Sequence, residues 1–432
     1  MRSGSYQQAS RLANAYCWSP SLYVLSESVT LRAFVTKIVD LLPSQKTTAL
    51  LTFLFLLFCG TLCTAMIVPF MGFFLVEGLG YEPWIISVYS ALAVCLTVTA
   101  NRQFARRIDN GARVFPLVGV AAFGYAVAAI GLSLSPTVWM ALTLGVIGFG
   151  VSSSAVSTMF SLGGSLAERN KIERSRFNSY MRVTTSTAWM VGPALTFLIT
   201  YQINVEAVFY VALGISLVWL SVWWLTLPRE IRAEAKNASG GAEKTLATSS
   251  GLWLAVAFVF CLSLAHSLTF SSLPLFYVQE VGLPGFAPGV AFSIKTFVEV
   301  IAIFATPMII ARFGMQRALL ATAFLAVVTT QFLASVQSFP QMLAGAALEG
   351  LYYGFYASLG ISYVQSFAQH QPARATAIYW NALMVSGLLA GPAVGFIAQA
   401  YDFQTVVQTA SAVALFSTVV LMAGRGMNQS SS

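Results

Sequence analysis

The chain has 432 residues, of which 57% are hydrophobic and only 9% charged. A soluble domain carries about a quarter charged residues, so the composition excludes an ordinary water-soluble protein and makes the bilayer the solvent. The net charge of +8 does not point to nucleic acid, because the cations are split among gaps between apolar runs and form no continuous stripe.

Residues 1–46 are mixed and polar, begin with Ser-Gly and Gln-Gln, and lack the pattern of a cleavable signal peptide. They read as a cytoplasmic N-terminal extension, with a weakly amphipathic stretch at Leu31–Leu42. A membrane-spanning helix needs about 20 apolar residues. Twelve runs qualify: roughly 48–76, 84–104, 113–133, 138–163, 177–200, 205–227, 252–278, 287–310, 318–335, 340–366, 374–399 and 403–423. Lipid admits only helices and closed barrels, and these runs are too long and too continuously apolar for barrel strands. The predicted fold is therefore all-α and integral to the membrane, with twelve transmembrane helices in two six-helix repeat halves. The halves span 47–227 and 251–424, with a cytoplasmic linker at 228–250 and a cytoplasmic tail at 425–432. The linker PREIRAEAKNASGGAEKTLATSS mixes charges with Gly, Ala and Ser.

The Lys and Arg residues fall in alternate gaps: the N-terminal stretch, Arg102–Arg113, Arg169–Arg176, Arg229–Lys244, Arg312 with Arg317, Arg374 and Arg425. The intervening gaps carry none. Cytoplasmic loops are the ones enriched in Lys and Arg, which places both termini in the cytoplasm. The acids Glu77, Glu82, Glu206, Glu280 and Asp402 fall in or near the opposite gaps. Arg182 and Lys295 are the exceptions, inside apolar segments. A charge there is costly and usually functional.

The halves resemble each other. Tyr180-Met181-Arg182 and Gly192-Pro193 match Tyr379-Trp380-Asn381 and Gly391-Pro392 at one constant offset. Pro69 and Pro274 occupy corresponding parts of segments one and seven, and Arg107 and Arg113 correspond to Arg312 and Arg317. Several matches in one order argue for a duplicated unit.

With twelve helices, two similar halves, a central linker and basic loops after segments two and eight, the chain resembles the major facilitator superfamily. That family's loop pattern, Gly-x-x-x-Asp-Arg/Lys-x-Gly-Arg/Lys-Arg/Lys, survives in part as Ala105-Arg106-Arg107-Ile108-Asp109-Asn110-Gly111-Ala112-Arg113. A second copy, Ala311-Arg312-Phe313-Gly314-Met315-Gln316-Arg317, lacks the acid. The resemblance makes Arg107, Asp109, Arg113, Arg312 and Arg317 gating-loop residues. Within the superfamily the chain looks like the sugar efflux transporter family, on Met181-Arg182 with Ala188-Trp189 and Gly192-Pro193, on Tyr379 with Asn381, and on Glu299 ahead of the second loop. The resemblance covers about 48–424. It implies export of sugars or glycosides across a bacterial inner membrane against protons, by a monomer in membrane lipid without cofactor or metal.

Arg182 is read two ways, as a donor fork for substrate or gating or as a stem that snorkels to the headgroups. Lys295 and Glu299 stand one helical turn apart on one face, as a structural pair or as a carboxylate that takes up a proton in one half-cycle and pairs in the other. Glu349 opens the run Glu-Gly-Leu-Tyr-Tyr-Gly-Phe-Tyr, so Tyr352, Tyr353 and Tyr356 can share its face. The stripe is either packing or a sugar site, in which rings stack on the sugar and carboxylate and phenols bind hydroxyls. His266 is the intramembrane histidine, set among Ser263, Ser267, Thr269, Ser271 and Ser272. It is a core residue or a proton-coupling group. Asn381, at the repeat position of Arg182, and Gln279 are candidate hydroxyl binders. The cysteines form no CxxC pair and read as small buried hydrophobes. Walker A, His-Glu-x-x-His and Gly-x-Ser-x-Gly motifs are absent, which argues against ATP-driven transport and an enzyme. The alternatives are a multidrug/proton antiporter and a non-transporting ligand sensor.

A reporter inserted after Gly240 should behave as cytoplasmic and one inserted near Pro136 as external. Finding both on one side of the membrane would contradict the alternating topology.

Overall fold

The computed structural model describes residues 45–169, 174–231, 250–367 and 372–429. Most of the N-terminal extension and the linker, and the last three residues of the tail, lie outside them. The first helix, α1, runs over Gln45–Ile67, breaks at Pro69, and resumes as Met71–Phe73 and a wide π turn, Phe74–Gly78. It is followed by α2 (Trp84–Asp109) and α3 (Val114–Leu134). Then α4 proceeds from Val138–Met140 through a π turn and Val146–Ser152 to Ser154–Arg169. Next come α5 (Arg174–Gln202), α6 (Ala207–Thr226), and α7 (Ser250–Leu275), which ends in the π turn Phe276–Glu280. The set closes with α8 (Ala287–Phe313), α9 (Met315–Ala334), α10 (Phe339–Ser366), α11 (Pro372–Ala400) and α12 (Phe403–Gln429).

Eleven of these helices are long and apolar enough to cross a bilayer. The remaining one, α10, has 28 residues and carries Glu349 and the tyrosines, which lower its apolarity. The helix α12 continues to Gln429, several residues into the stretch predicted as a tail. The described residues from Thr52 onward form one compact unit.

The duplication is visible in the backbone. Both α1 and α7 finish in a π turn, and each is followed by a glycine in the left-handed region, Gly80 at φ 71° and Gly282 at φ 72°. A second pair, Gly111 at φ 75° and Gly314 at φ 79°, follows α2 and α8. A side chain at any of these sites is strained, so the same turn chemistry recurs at both ends of each helix pair.

The halves meet through α2 against α11 and α5 against α8. Small residues make the approach possible. A Cβ on Gly395 would overlap Ser87 and the Pro83 carbonyl, and one on Gly391 would overlap Ser90. A Cβ on Gly289 would lie 2.9 Å from the Pro193 carbonyl oxygen. Ser87 Oγ donates to the Pro392 carbonyl at 2.7 Å, and Ser293 Oγ donates to the Met190 carbonyl at 2.7 Å. Two serines on related helices thus bind the partner half's backbone near each Gly-Pro. All of these contacts lie toward the end that carries Glu77, Glu82 and Glu280. There Gln279 Nε2 also donates to Glu77 at 2.7 Å, Gln399 Nε2 donates to Glu82 at 3.3 Å, and Tyr201 packs edge-on against Phe286.

Within the second half, α10 lies directly on α8. A Cβ on Gly350 would overlap the Lys295 carbonyl, and one on Gly354 would reach the Glu299 carbonyl. This small-residue seam substitutes for hydrophobic association, which lipid does not provide between helices. Gly350→Ala should therefore lower unfolding stability by about 1–3 kcal/mol, the usual cost of overpacking. Gly387→Ala, with open space around it, should be neutral. Equal thermal midpoints for the two variants in detergent would refute the seam.

Candidate functional site

Between the halves lies a cavity of about 730 Å³ lined by α1, α2, α4 and α5, with Tyr125 of α3, on one side and α7, α8, α10 and α11 on the other. The two walls differ chemically. The first-half wall is hydroxylic, with Thr61, Thr64, Ser90, Ser152, Ser153 and Thr185. Several of these hydroxyls donate to their own helix: Thr61 to Leu57 O at 2.8 Å, Thr64 to Gly60 O at 3.2 Å, Ser153 to Gly150 O at 2.7 Å and Thr185 to Arg182 O at 2.9 Å. Their protons are committed, so they offer the cavity acceptor lone pairs. Ser152 Oγ, by contrast, is buried without a hydrogen-bond partner.

The second-half wall carries charge and rings. Lys295 Nζ stands 3.7 Å from Glu299 Oε2, with the lysine almost fully buried and the glutamate side chain 21% exposed. The ammonium also lies 4.7 Å from the Tyr353 ring centroid and 5.4 Å from that of Phe270, a cation–π arrangement. The His266 ring stacks on Tyr353 with centroids 3.7 Å apart and planes inclined by 21°. Phe270 and Phe292 complete the apolar part of this wall, Ser267, Ser271 and Thr296 add hydroxyls to it, and Trp189 of α5 faces it from the first half.

Behind this wall is a second layer. His266 Nδ1 is 3.2 Å from Tyr352 Oη and 3.6 Å from Glu349 Oε1. Glu349 is 3% exposed, and its Oε1 has no hydrogen bond. Tyr356 Oη donates to the Val259 carbonyl at 2.8 Å.

The predicted stripe on α10 is thereby divided. Tyr353 faces the cavity, whereas Glu349, Tyr352 and Tyr356 face α7 and do not line it. The reason is angular: successive residues on a helix differ by about 100°, and the Gly350–Gly354 seam fixes which side of α10 meets α8. Arg182 and Asn381 are exposed and outside the cavity lining. Arg182 is within electrostatic reach of Tyr379 on the other half. Gln279 is used at the acidic end, on Glu77. Among the loop residues, Arg107, Asp109 and Arg317 are exposed, Arg113 Nη2 pairs with Glu230 at 3.1 Å, and the Arg312 guanidinium lies 5.4 Å from the Phe313 ring. The hydroxylic wall was not singled out from sequence. Its signal is the run Ser152-Ser153-Ser154 and the paired Thr61 and Thr64 inside otherwise apolar segments.

Two bundles joined across a central cavity of mixed apolar and polar lining are the architecture of a twelve-helix membrane transporter. The chain belongs to the Major Facilitator Superfamily: the family's model matches residues 166–334 and 259–427. It is 24% identical over 359 residues to sugar efflux transporter B of Salmonella typhimurium, covering 82% of this chain and 90% of that protein. It is 21% identical to sugar efflux transporter A of Escherichia coli, covering 85% and 94%. Among solved structures, the nucleoside transporter NupG superposes with a TM-score of 0.73 at 13% identity, covering 87% of this chain and 98% of that one. A bacterial homologue of the iron transporter ferroportin, in an inward-facing state, superposes with a TM-score of 0.67 at 17% identity, covering 88% and 98%. The matched family and relatives are transporters, not enzymes.

The Lys295–Glu299 contact makes a quantitative expectation. Removing one member of a buried pair strands the other. Lys295→Met, Glu299→Gln and the double variant should show a coupling of roughly 0.5–3 kcal/mol in unfolding free energy, the range for residues in contact. Additive effects would mean that the two side chains do not interact.

Proposed function

We propose that the protein exports sugars or glycosides across the bacterial inner membrane by alternating access, driven by proton entry. The observation that carries the reading is the division of the cavity. One wall offers acceptor oxygens, those of Thr64, Ser153 and Thr185 among them, suited to sugar hydroxyls. The other offers the Tyr353 and Phe270 rings, which Trp189 of α5 meets from the opposite wall, suited to the C–H face of a sugar. The names of the relatives, sugar efflux transporters over more than four-fifths of the chain, favour the same substrate class.

In this account the halves rock about the cavity. The contacts at the acidic end make the present state closed there, and the positive-inside pattern makes that end external. Substrate enters from the basic, cytoplasmic side. Glu299, which lines the cavity beside Lys295, is the proton carrier: it pairs with the ammonium when ionised and releases it when protonated. His266 and Glu349 form a second candidate couple behind it. Arg182 and Asn381 act at the cytoplasmic entrance. The monomer is the transporting unit.

Reconstituted protein tests this. Glu299→Gln should keep glycoside binding but lose uphill transport driven by a pH gradient, while the unaltered protein accumulates glycoside. Unchanged gradient-driven transport in the variant removes Glu299 from coupling. Strong binding of an apolar cationic dye, with no measurable glycoside binding by the unaltered protein, would identify a drug exporter instead. Glycoside binding without flux would identify a sensor.

A further inference from the structure

A second concavity lies on the membrane-facing side of the first half, between α3, α4 and α6, and has a volume of about 570 Å³. Its floor is almost wholly apolar. Gly119, Gly124 and Gly148 line it without side chains, Gly119 packed under Trp223 and Gly148 against the Gly124 backbone, and Val120, Phe123 and Ile147 at its edges are exposed. Along α3 it runs from Phe115 to Gly124. At 1.5 Å per residue that is about 14 Å, close to the roughly 15 Å hydrocarbon depth of one leaflet. The groove thus begins near the bilayer middle and opens at the basic end.

The mouth is built from aromatic and cationic groups. Phe115 and Trp223 stack with centroids 4.4 Å apart, and Trp223 Nε1 donates to the Phe115 carbonyl at 2.9 Å. The Arg229 guanidinium lies 4.7 Å from the centroid of the adjacent Trp224. Arg113, half exposed, approaches Glu230 at 3.1 Å. The Val114 amide donates to the Ile231 carbonyl at 2.9 Å, which holds the two arginine-bearing segments together at the helix ends. Two cations against one anion leave a net positive rim over an apolar slot. A ligand that matches both has one long hydrocarbon chain and a negative head.

We propose that this groove is a binding site for one anionic glycerophospholipid, with an acyl chain along Gly119, Gly124 and Gly148 and its phosphate-bearing headgroup at Arg229 and Arg113. The slot is one leaflet deep and its charge sits only at the end where a headgroup lies, so the site selects both chain and head. It is separate from the central cavity and does not depend on the transported substrate.

The test is native mass spectrometry of the full chain taken from mixed bilayers of phosphatidylglycerol and phosphatidylcholine. The protein should retain one phosphatidylglycerol in preference to phosphatidylcholine. Arg229→Gln should weaken that retention about fivefold, the effect of one cation near an anionic headgroup. Gly124→Leu should abolish it by filling the slot. A Cβ at Gly124 already touches the Gly148 backbone at 3.5 Å, so the folding of Gly124→Leu is checked by its thermal midpoint, and Arg229→Gln, at the exposed rim, tests the site independently. Equal retention of the two lipids would overturn the headgroup assignment. Retention unchanged in both variants, or no lipid retained by the unaltered protein, would overturn the site and leave the groove to a partner helix or a second copy.

Discussion

The close approach of the two halves at the acidic end is the constraint on which the rest depends. Hydrophobic burial cannot draw helices together in lipid, so the contact relies on backbones brought within reach by Gly289, Gly391 and Gly395 and on the hydroxyls of Ser87 and Ser293. These interactions are individually modest. A net hydrogen bond contributes about 0.5–1.5 kcal/mol, and a seam of a few such contacts can be closed in one state and broken in another at a cost that substrate binding can supply. The near-symmetric use of a serine on α2 and a serine on α8 accords with the duplicated sequence and gives both seams the same contact chemistry.

The buried charges are the second constraint. An isolated ion at the membrane centre is expensive, and the buried ionisable groups of α7, α8 and α10 are grouped together. Lys295 is shared between Glu299 and the faces of Tyr353 and Phe270, and His266 lies between Tyr352 and Glu349. The arrangement is incomplete: Glu349 Oε1 lacks a hydrogen bond. Such a network responds strongly to a proton, because protonation changes which partner each group can use. The Gly350–Gly354 seam places the α8 pair and the α10 carboxylate beside one another, so packing and electrostatics are set by the same short run on α10.

Much of this was legible in the sequence. The apolar runs gave the twelve helices to within a few residues, because the demand for a continuous apolar stretch leaves little freedom. The repeat was legible in Gly192-Pro193 and Gly391-Pro392, and the structure extends it to paired π turns and paired left-handed glycines. The stripe on α10 was legible only in part. Helical spacing brings Glu349, Tyr352, Tyr353 and Tyr356 near one another, but which of them meets the cavity depends on the rotation of α10, and that is set by Gly350 and Gly354 against α8. The hydroxylic wall was missed because a lone Ser or Thr in an apolar helix usually bonds to its own backbone. Thr61 and Thr64 do so as well; their importance comes from the tertiary position of α1.

The central claim is that one end of the molecule opens as the other closes. It is tested most directly by electron–electron distances between spin labels in a background lacking the native cysteines. One pair, Tyr81→Cys with Tyr401→Cys, reports the acidic end, and another, Asn110→Cys with Gln316→Cys, reports the basic end; all four positions are exposed. The account predicts that glycoside and a change of pH lengthen the first distance and shorten the second within the same population of molecules. Fixed distances at both ends under every condition would contradict it.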